Sequence, residues 1–580
     1  MQETSCVSAP SSLQVLFFFV NKSSFILLLE ILFDMIYLHS TFLAKGGNKM
    51  SITLKQVSII TGNTETEVFA AEELQKYLEK KNVTVGEGGY PITIAYDNTL
   101  SRQDGFRVSA TTDGMTIAGG TEHALLYGVY KFLEQYAGVR YFLPGLEKIP
   151  AGDITFEEGV LIDFAPVFES RQINWNAVAH SADWCTKQGI NNCDADMSGK
   201  FGGKWSYGGL FVHTIGILTE TGKWADPNPC LCDPENLQKA IKNVRAALEA
   251  NPNTDIVSVS QNDNNNYCKC EKCQAIDAEE GSPSGNMLRF VNAIAADIAE
   301  DYPHVIVDTL AYNYTQAAPK ITKPLPNVCI RLCSIRCCFM HPLTKCPNKS
   351  VWTRTPRLVH DIVEWGKICN RIYIWDYTTN FKFYVPTYAN FGALRENMRF
   401  YVDNHVRGMF PQGNSQSISG EFGEVRAYLL AKLMWNPYMS DEEYYAHMDE
   451  FLEAYYGDGW TYLRKYIDKT TEMAAGGCMN IYENPFTAIT GEQYGENEAY
   501  FDELWAKAEE LADEDRKENV RRSALQWQYL KLMLHPGLEG SKKLLHDVKS
   551  RGILWLERKY EVEDETDLSL SPDHWFDYRY

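Results

Sequence analysis

The chain has 580 residues, 45% of them hydrophobic and 23% charged, with a net charge of −21. That composition excludes disorder, collagen and a small disulfide scaffold, and it supplies enough apolar material for two or three domains. No basic stripe interrupts the acidity, so a protein that tracks nucleic-acid phosphates is disfavoured. The 13 Trp and 33 Tyr suit sugar-stacking platforms, although core and rim account for most such residues.

Residues 13–38 hold two apolar runs, 13–20 and 25–29, then a stretch broken by acids. Neither run reaches the about 18 residues of a membrane span, so no stable membrane insertion is expected. No Lys or Arg precedes the first run and no clear small-x-small site comes after it, so a signal peptide fits poorly. Lys45, Gly46, Gly47, Asn48, Lys49 and Met50 can be encoded by AAA GGA GGT AAT AAA ATG, a ribosome-binding site ahead of a start codon. Residues 1–49 then read as upstream sequence translated from a mis-called start. The expectation is a bacterial, cytoplasmic protein beginning at Met50, with a secreted or membrane-anchored protein as the alternative. The charge stays at −21 either way, because Lys22, Lys45 and Lys49 cancel Glu3, Glu30 and Asp34. An odd 15 Cys, with Cys337 and Cys338 adjacent, is unlike a secreted disulfide framework, and reduced thiols are expected.

From residue 50 the pattern predicts a strand over 52–60, a helix over 65–81 with Val68, Ala71, Leu74, Tyr77 and Leu78 on one face, and a strand over 92–96. Strands 106–109 and 115–118 meet through Asp113-Gly114, a hairpin dipeptide. Thr121 is placed to cap a helix that runs through Ala124, Leu125, Val129, Phe132 and Leu133 and stops at Gly138. Together these make a small α/β domain over 50–160. Between 161 and 437, short apolar strands at 167–173, 255–260, 305–312, 328–332, 371–375 and 406–410 alternate with helical stretches. That alternation predicts a (β/α)8 TIM-type barrel whose second and third strands are the least legible. From 438 to 580 the spacing is helical and amphipathic, without a strand signal.

In such a barrel, chemistry sits past the C-terminal ends of the strands. The residues there are Arg171, Asn262 and Asp263, Tyr312 and Tyr314, Trp375-Asp376-Tyr377 and Gln412, with His213 after Phe211-Val212 and Glu421 opening a later helix. Two or three carboxylates among aromatics, without a phosphate-cradling loop or HExxH, are the ingredients of glycoside hydrolysis. Asp263 ends an apolar strand where a purely structural acid is poorly placed. Asp376 lies between two aromatics, where a desolvated carboxylate is costly unless paired or used. Glu421 can equally serve a helix N-terminus, and His213 can be a satisfied core histidine. Cys268, Cys270 and Cys273 can wrap one structural zinc if a fourth ligand arrives, with Cys338, His341 and Cys346 as candidates. Only one half of a zinc motif is visible there.

The run 104–108, 115–119, 124–134 and 138–142, which reads DGFRV, MTIAG, ALLYGVYKFLE and GVRYF, resembles the N-terminal α/β domain of β-N-acetylhexosaminidases and bacterial α-glucuronidases. The remainder, with Ser258-Val259-Ser260-Gln261-Asn262-Asp263, the cysteine motif, Trp375-Asp376-Tyr377 and Gly420-Glu421-Phe422 leading to Arg426, is similar to a large bacterial family of uncharacterised, glycosidase-like proteins. The resemblance implies a barrel followed by a helical C-terminal region, with Asp263 as the acid, Asp376 and Glu421 as partner carboxylates, and Arg171 matching an arginine that holds sugar hydroxyls. Hexosaminidases carry an adjacent Asp-Glu pair where Asn262-Asp263 stands here, which counts against substrate-assisted cleavage of an N-acetyl sugar.

The expectation is a glycoside hydrolase acting on an oligosaccharide, α-glucuronidase-like in organisation, needing no cofactor for chemistry. Asp263, Asp376 and Glu421 are its candidate catalytic residues; Arg171, His213, Asn262, Tyr312, Trp375, Tyr377 and Gln412 are its candidate substrate contacts. Two alternatives stand beside it: a catalytically silent carbohydrate-binding protein on the same fold, and a zinc-dependent hydrolase built on the cysteines.

Overall fold

Thr64 separates strand β1 (Gln56–Thr61) from helix α1 (Glu65–Lys80) by a capping box, in which its hydroxyl accepts from Glu67 N–H and the Glu67 carboxylate accepts from Thr64 N–H. The computed structural model describes residues 50–100, 103–348, 353–558 and 560–561, so the reading of residues 1–49 lies outside the described residues. β1, β2 (Thr84–Val85), β3 (Tyr90–Tyr96), β4 (Phe106–Thr111), β5 (Gly114–Gly119) and β6 (Gly159–Phe164) form a mixed sheet in the order β6-β4-β5-β3-β1-β2. The hairpin closes with Thr111 opposite Gly114, around the predicted turn. Thr121 caps α2 (Glu122–Tyr136), and Gly138 comes after it at φ 71°, a left-handed conformation suited to glycine. The buried face of α1 is turned from the expected one: Phe69, Ala70, Glu73, Leu74, Tyr77 and Leu78 are inside, while Val68 is 39% exposed. α1 packs on α2 as well as on the sheet, and Glu73 goes inward because Tyr130 of α2 donates to it.

The second sheet is parallel throughout. Its strands are β7 (Ser170–Arg171), β8 (Ile256–Ser258), β9 (Ile306–Ala311), β10 (Val328–Cys333), β11 (Ile372–Tyr377) and β12 (Val406–Gln412), in the order β7-β12-β11-β10-β9-β8. Outside them pack α3 (Pro234–Ala250), α4 (Glu271–Glu280), α5 (Pro283–Ile298), α6 (Thr355–Gly366), α7 (Phe391–Asp403) and α8 (Gly423–Trp435). This is a half-barrel sheet with six strands where eight were expected. Between its edges, β7 and β8, residues 190–214 run without strand structure but still reach both sides. Gln172 bridges to Asn192, while Ser206 O and Leu210 O accept from Ile256 N–H and Ser258 N–H. Glycines and polar residues crowd 198–209, which explains why that run resisted assignment from sequence and forms no ladder here.

Side chains alternate across the sheet. Val257, Val307, Ile330 and Ile374 join the outer core beneath the helices, whereas Ile256, Ile306, Cys329 and Tyr373 form an inner cluster. Inside lies a fully buried ion pair, Arg331 Nε to Asp308 Oδ2 at 2.9 Å, with the guanidinium over the rings of Tyr207, Phe211 and Tyr373.

Helices α9 (Asp441–Tyr456), α10 (Trp460–Ala474), α11 (Glu498–Leu511), α12 (Glu514–Leu534) and α13 (Leu538–Ser550) make the helical C-terminal region. Against expectation, it also carries a small antiparallel pair, β13 (Trp555–Glu557) and β14 (Tyr560–Glu561). The returning chain there supplies Leu556 O to Tyr384 N–H and takes Phe381 O for Arg558 N–H, hydrogen bonds that no local periodicity announces. The described residues from Thr53 onward form one compact unit, and among the described residues no helix is long and apolar enough to cross a membrane.

Candidate functional site

Beyond β8 the chain carries Asp263 out to the C-terminal end of the sheet. Asn262 is fully buried just before it and spends its amide on the backbone, taking Gly216 N–H and giving to Asp226 O at 2.9 Å. Asp263 N–H itself donates to Trp224 O at 2.9 Å. Asn262 is thus a clamp on the loop rather than a substrate contact, while Asp263 is exposed.

Several side chains gather around Asp263. The Tyr312 hydroxyl is raised by burial and by the neighbouring Asp263 charge, and the Cys333 thiol, which also feels Asp263, is pushed up to about 12 by burial. His213 sits at φ 57°, a strained conformation for a histidine, with its N–H on Ser260 Oγ and its Nδ1 2.8 Å from Gln261 O. A carbonyl only accepts, so Nδ1 carries the proton and Nε2 is left as an acceptor. Trp375 meets Phe410 edge to face at 4.9 Å and stacks on Tyr377 at 6.4 Å, and its Nε1 donates to Gln412 Oε1 at 2.9 Å. Asp263, Tyr312, His213, Trp375, Tyr377 and Gln412 therefore share one mouth. Tyr314 stacks on Tyr267 at its rim, 4.2 Å between ring centres.

Three expected members are elsewhere. Asp376 is one residue out of phase with Trp375 and Tyr377, so it points outward between sheet and helices, where Ser334 Oγ donates to it at 2.6 Å and Tyr401 of α7 stands beside it. Glu421 is fully buried, with Oε1 accepting from Arg426 Nη1 at 2.8 Å and Thr379 Oγ1 at 3.1 Å. Burial pushes its pKa up to about 7, against the pull of Arg426. Arg171 is fully buried against the N-terminal sheet, giving to Gly189 O, to Phe168 O at 2.6 Å and to Asp104 Oδ2 at 2.7 Å. Every guanidinium nitrogen is engaged, which leaves Arg171 nothing to offer a sugar.

Asp376 carries a testable pH dependence. Burial raises its carboxyl from 3.8 to about 6, so its contribution to stability is complete below pH 3.8 and is lost as pH rises through 6. The shift corresponds to about 3 kcal/mol. The Asp376→Asn variant is expected to have a flatter urea-midpoint profile than the parent between pH 4 and 6.5. Parallel profiles would show that the carboxyl titrates normally and therefore meets water.

Beside the Asp263 loop, the sulfurs of Cys230, Cys268, Cys270 and Cys273 lie within 4.8 Å of one another, with Cys230 3.8 Å from both Cys270 and Cys273. A tetrahedron with Zn–S of about 2.3 Å has edges of about 3.8 Å, so four thiolates here fit zinc with no open position. The fourth side chain of this cluster is Cys230, whereas Cys338, His341 and Cys346 lie in a separate group. Cys230-Leu231-Cys232 is the missing half-motif, legible as a C-x-C but separated from the other half by α3. Trp224, 58% exposed on the same loop, was also missed, as were Phe211, Cys333 and Phe410.

A cavity of about 950 Å³ opens at the opposite end of the sheet, lined by Asp104, His123, Glu169, Asp255, His304 and Arg371 among others. Its carboxylates are committed: Asp104 to Arg171, Glu169 to Arg371 and Tyr373, Asp196 to Ser198 N–H, and Asp255 to Ser206 N–H. Asp263, at the C-terminal mouth, is exposed to solvent.

No curated protein matches this chain. Among solved structures it is similar to a GH138 enzyme targeting pectin rhamnogalacturonan II (10% identity, 90% of this chain and 97% of that one, TM-score 0.43). It is also similar to CpGH84B (15%, 87% and 86%, 0.40) and to the GH20 β-N-acetylhexosaminidase of Streptomyces coelicolor A3(2) (12%, 70% and 94%, 0.39). The family described as a domain of unknown function, DUF4838, matches residues 144–468, more than half of the chain, and the protein belongs to that family.

Proposed function

We propose that the protein is a glycoside hydrolase, with Asp263 delivering the proton to the leaving oxygen. The observation that carries this reading is the exposed Asp263 beside Tyr312 and His213, in a mouth walled by Trp375, Tyr377 and Gln412. Aromatic walls with few polar groups and one acid suit a sugar ring and the oxygen that leaves it. Asp376 and Glu421 face away, so attack on the anomeric carbon falls to water, with His213 Nε2 as the nearby acceptor. Zinc at Cys230, Cys268, Cys270 and Cys273 would pin the loop that carries Asp263; with four protein ligands it would be structural. Within this class a uronic-acid glycoside comes first, by the α-glucuronidase-like organisation of the chain and because exposed Arg336, 3.4 Å from Asn313, offers the rim a cation.

The experiment is mass spectrometry of products from uronic-acid, N-acetylhexosamine and neutral oligosaccharides. Loss of one sugar mass supports the proposal; intact substrates across the panel overturn it. The second reading, a carbohydrate-binding protein without turnover, is favoured because Asp376 and Glu421 lie outside the mouth that holds Asp263, and it predicts saturable binding on the same panel with no cleavage. Trp224→Ala is expected to raise KM roughly fivefold, for about 1 kcal/mol of lost stacking, with kcat nearly unchanged. An unchanged KM would place the sugar elsewhere.

A further inference from the structure

Cys338, His341 and Cys346, which the sequence offers to the first cysteine cluster, assemble with a residue that no motif suggested. Their ligand atoms and the sulfur of Cys478 all lie within 4.8 Å of one another. Cys338 and His341 come after β10, Cys346 after a short turn over Leu343–Lys345, and Cys478 arrives from beyond α10. We propose that these four side chains bind a second zinc ion, a closed Cys3His site that staples the loop after β10 to the helical C-terminal region.

The geometry supports each ligand separately. Cys346 Sγ and Cys478 Sγ are 3.7 Å apart, close to the about 3.8 Å edge of a zinc–thiolate tetrahedron and far beyond the about 2.05 Å of a disulfide. His341 Nδ1 is 3.3 Å from Cys338 Sγ, near the about 3.6 Å expected for one nitrogen and one sulfur on the same zinc. The other ring nitrogen, Nε2, lies 3.1 Å from Ala475 O. A carbonyl there requires Nε2–H, which leaves the Nδ1 lone pair directed at the sulfurs; metal-bound histidines are commonly oriented in this way. Asn348 N–H donates to Cys346 Sγ at 3.3 Å, a bond that supports a thiolate. Cys338, His341 and Cys478 are buried, so the ion would be shielded from water. On binding, the three thiols give up their protons to solvent while the imidazole stays neutral, and four protein ligands leave no position for catalysis.

Its place in the fold says what it would do. Next to the cluster, Phe339 N–H donates to Met479 O at 3.1 Å, and the Phe339 ring packs on Tyr377 of the mouth. Phe381 N–H takes Ile481 O, and Asn380 gives to Glu483 O. The segment around 478–483 therefore backs the aromatic wall of the mouth, and the ion would fix that backing across 132 residues of chain between Cys346 and Cys478. The zinc proposal does not depend on the glycosidase reading, since it is tested by metal content.

Metal analysis of the purified full chain, after dialysis against a weak chelator, is expected to give two zinc ions per chain. The double variant Cys268→Ser/Cys270→Ser and, separately, Cys478→Ser should each retain one. One zinc in the parent that survives Cys478→Ser, or none, overturns the proposal; so does a Cys346–Cys478 disulfide in a non-reduced peptide map. Should Cys478→Ser fail to fold, cadmium-113 NMR of the substituted parent protein decides. Two resonances, one of four-thiolate and one of three-thiolate-one-imidazole type, are expected, and a spectrum without a three-thiolate-one-imidazole resonance refutes the second site.

Discussion

Asp263→Asn is expected to lower kcat on the cleaved glycoside by about 10²- to 10⁴-fold, the range associated with losing a general acid. Asn keeps the shape and can still accept from donors, but it has no proton to give. Asp263 is exposed, its backbone N–H is held by Trp224 O, and an Asn in its place can still accept from Tyr312, so the substitution should leave stability within about 0.5 kcal/mol. Activated glycosides, whose leaving groups need little protonation, should recover much of the lost rate in the variant. The measurement is a pair of kcat values, on a natural linkage and on an aryl glycoside, alongside a urea midpoint. Equal losses on both substrates would mean that Asp263 does not act on the leaving group; no loss on either would remove it from the chemistry altogether.

Arg331→Met should cost about 1–3 kcal/mol of stability, the penalty for leaving a buried polar group without its partner, because burial pushes the Asp308 carboxyl up to about 8 and it takes up a proton. Arg331 and Asp308 are 1% and 0% exposed, and the guanidinium is enclosed by Tyr207, Phe211 and Tyr373. Water cannot compensate Asp308 once the cation is gone. The double variant Arg331→Met/Asp308→Leu should regain most of that loss, because removing both polar groups removes the desolvation problem itself. Urea unfolding of the parent, both single variants and the double variant closes the cycle. A loss below about 1 kcal/mol in Arg331→Met would show that solvent reaches the pair.

Most of the secondary structure was legible in the chain because it is written locally. Thr64 and Thr121 announce helix starts, Asp113-Gly114 announces a hairpin, and the apolar runs that became β9, β10, β11 and β12 end within two residues of their expected limits. The candidate site was only half legible. Asp263, Tyr312, Trp375, Tyr377 and Gln412 are found from the C-terminal ends of the strands, which requires strand positions and nothing more. Strand positions do not say which way a side chain points. One residue of phase separates Trp375, in the mouth, from Asp376, under the helices. The terminal strand pair and the two missing barrel strands have the same origin, since their hydrogen bonds are made to distant segments or not made as a ladder at all.

Sequence by itself determined the two α/β layers, the helical C-terminal region, the acid at the end of β8 and the thiol content, all of which depend on residue type and short-range spacing. Only the tertiary structure decided partnership. It gave Arg171 to Asp104 and Glu421 to Arg426, joined Cys230 to Cys268, Cys270 and Cys273, and brought Cys478 to Cys338, His341 and Cys346. The physical reason is that a charge or a thiol has no preferred neighbour along the chain. Its partner is whichever group burial brings within a few ångströms, and burial is a property of the packed fold.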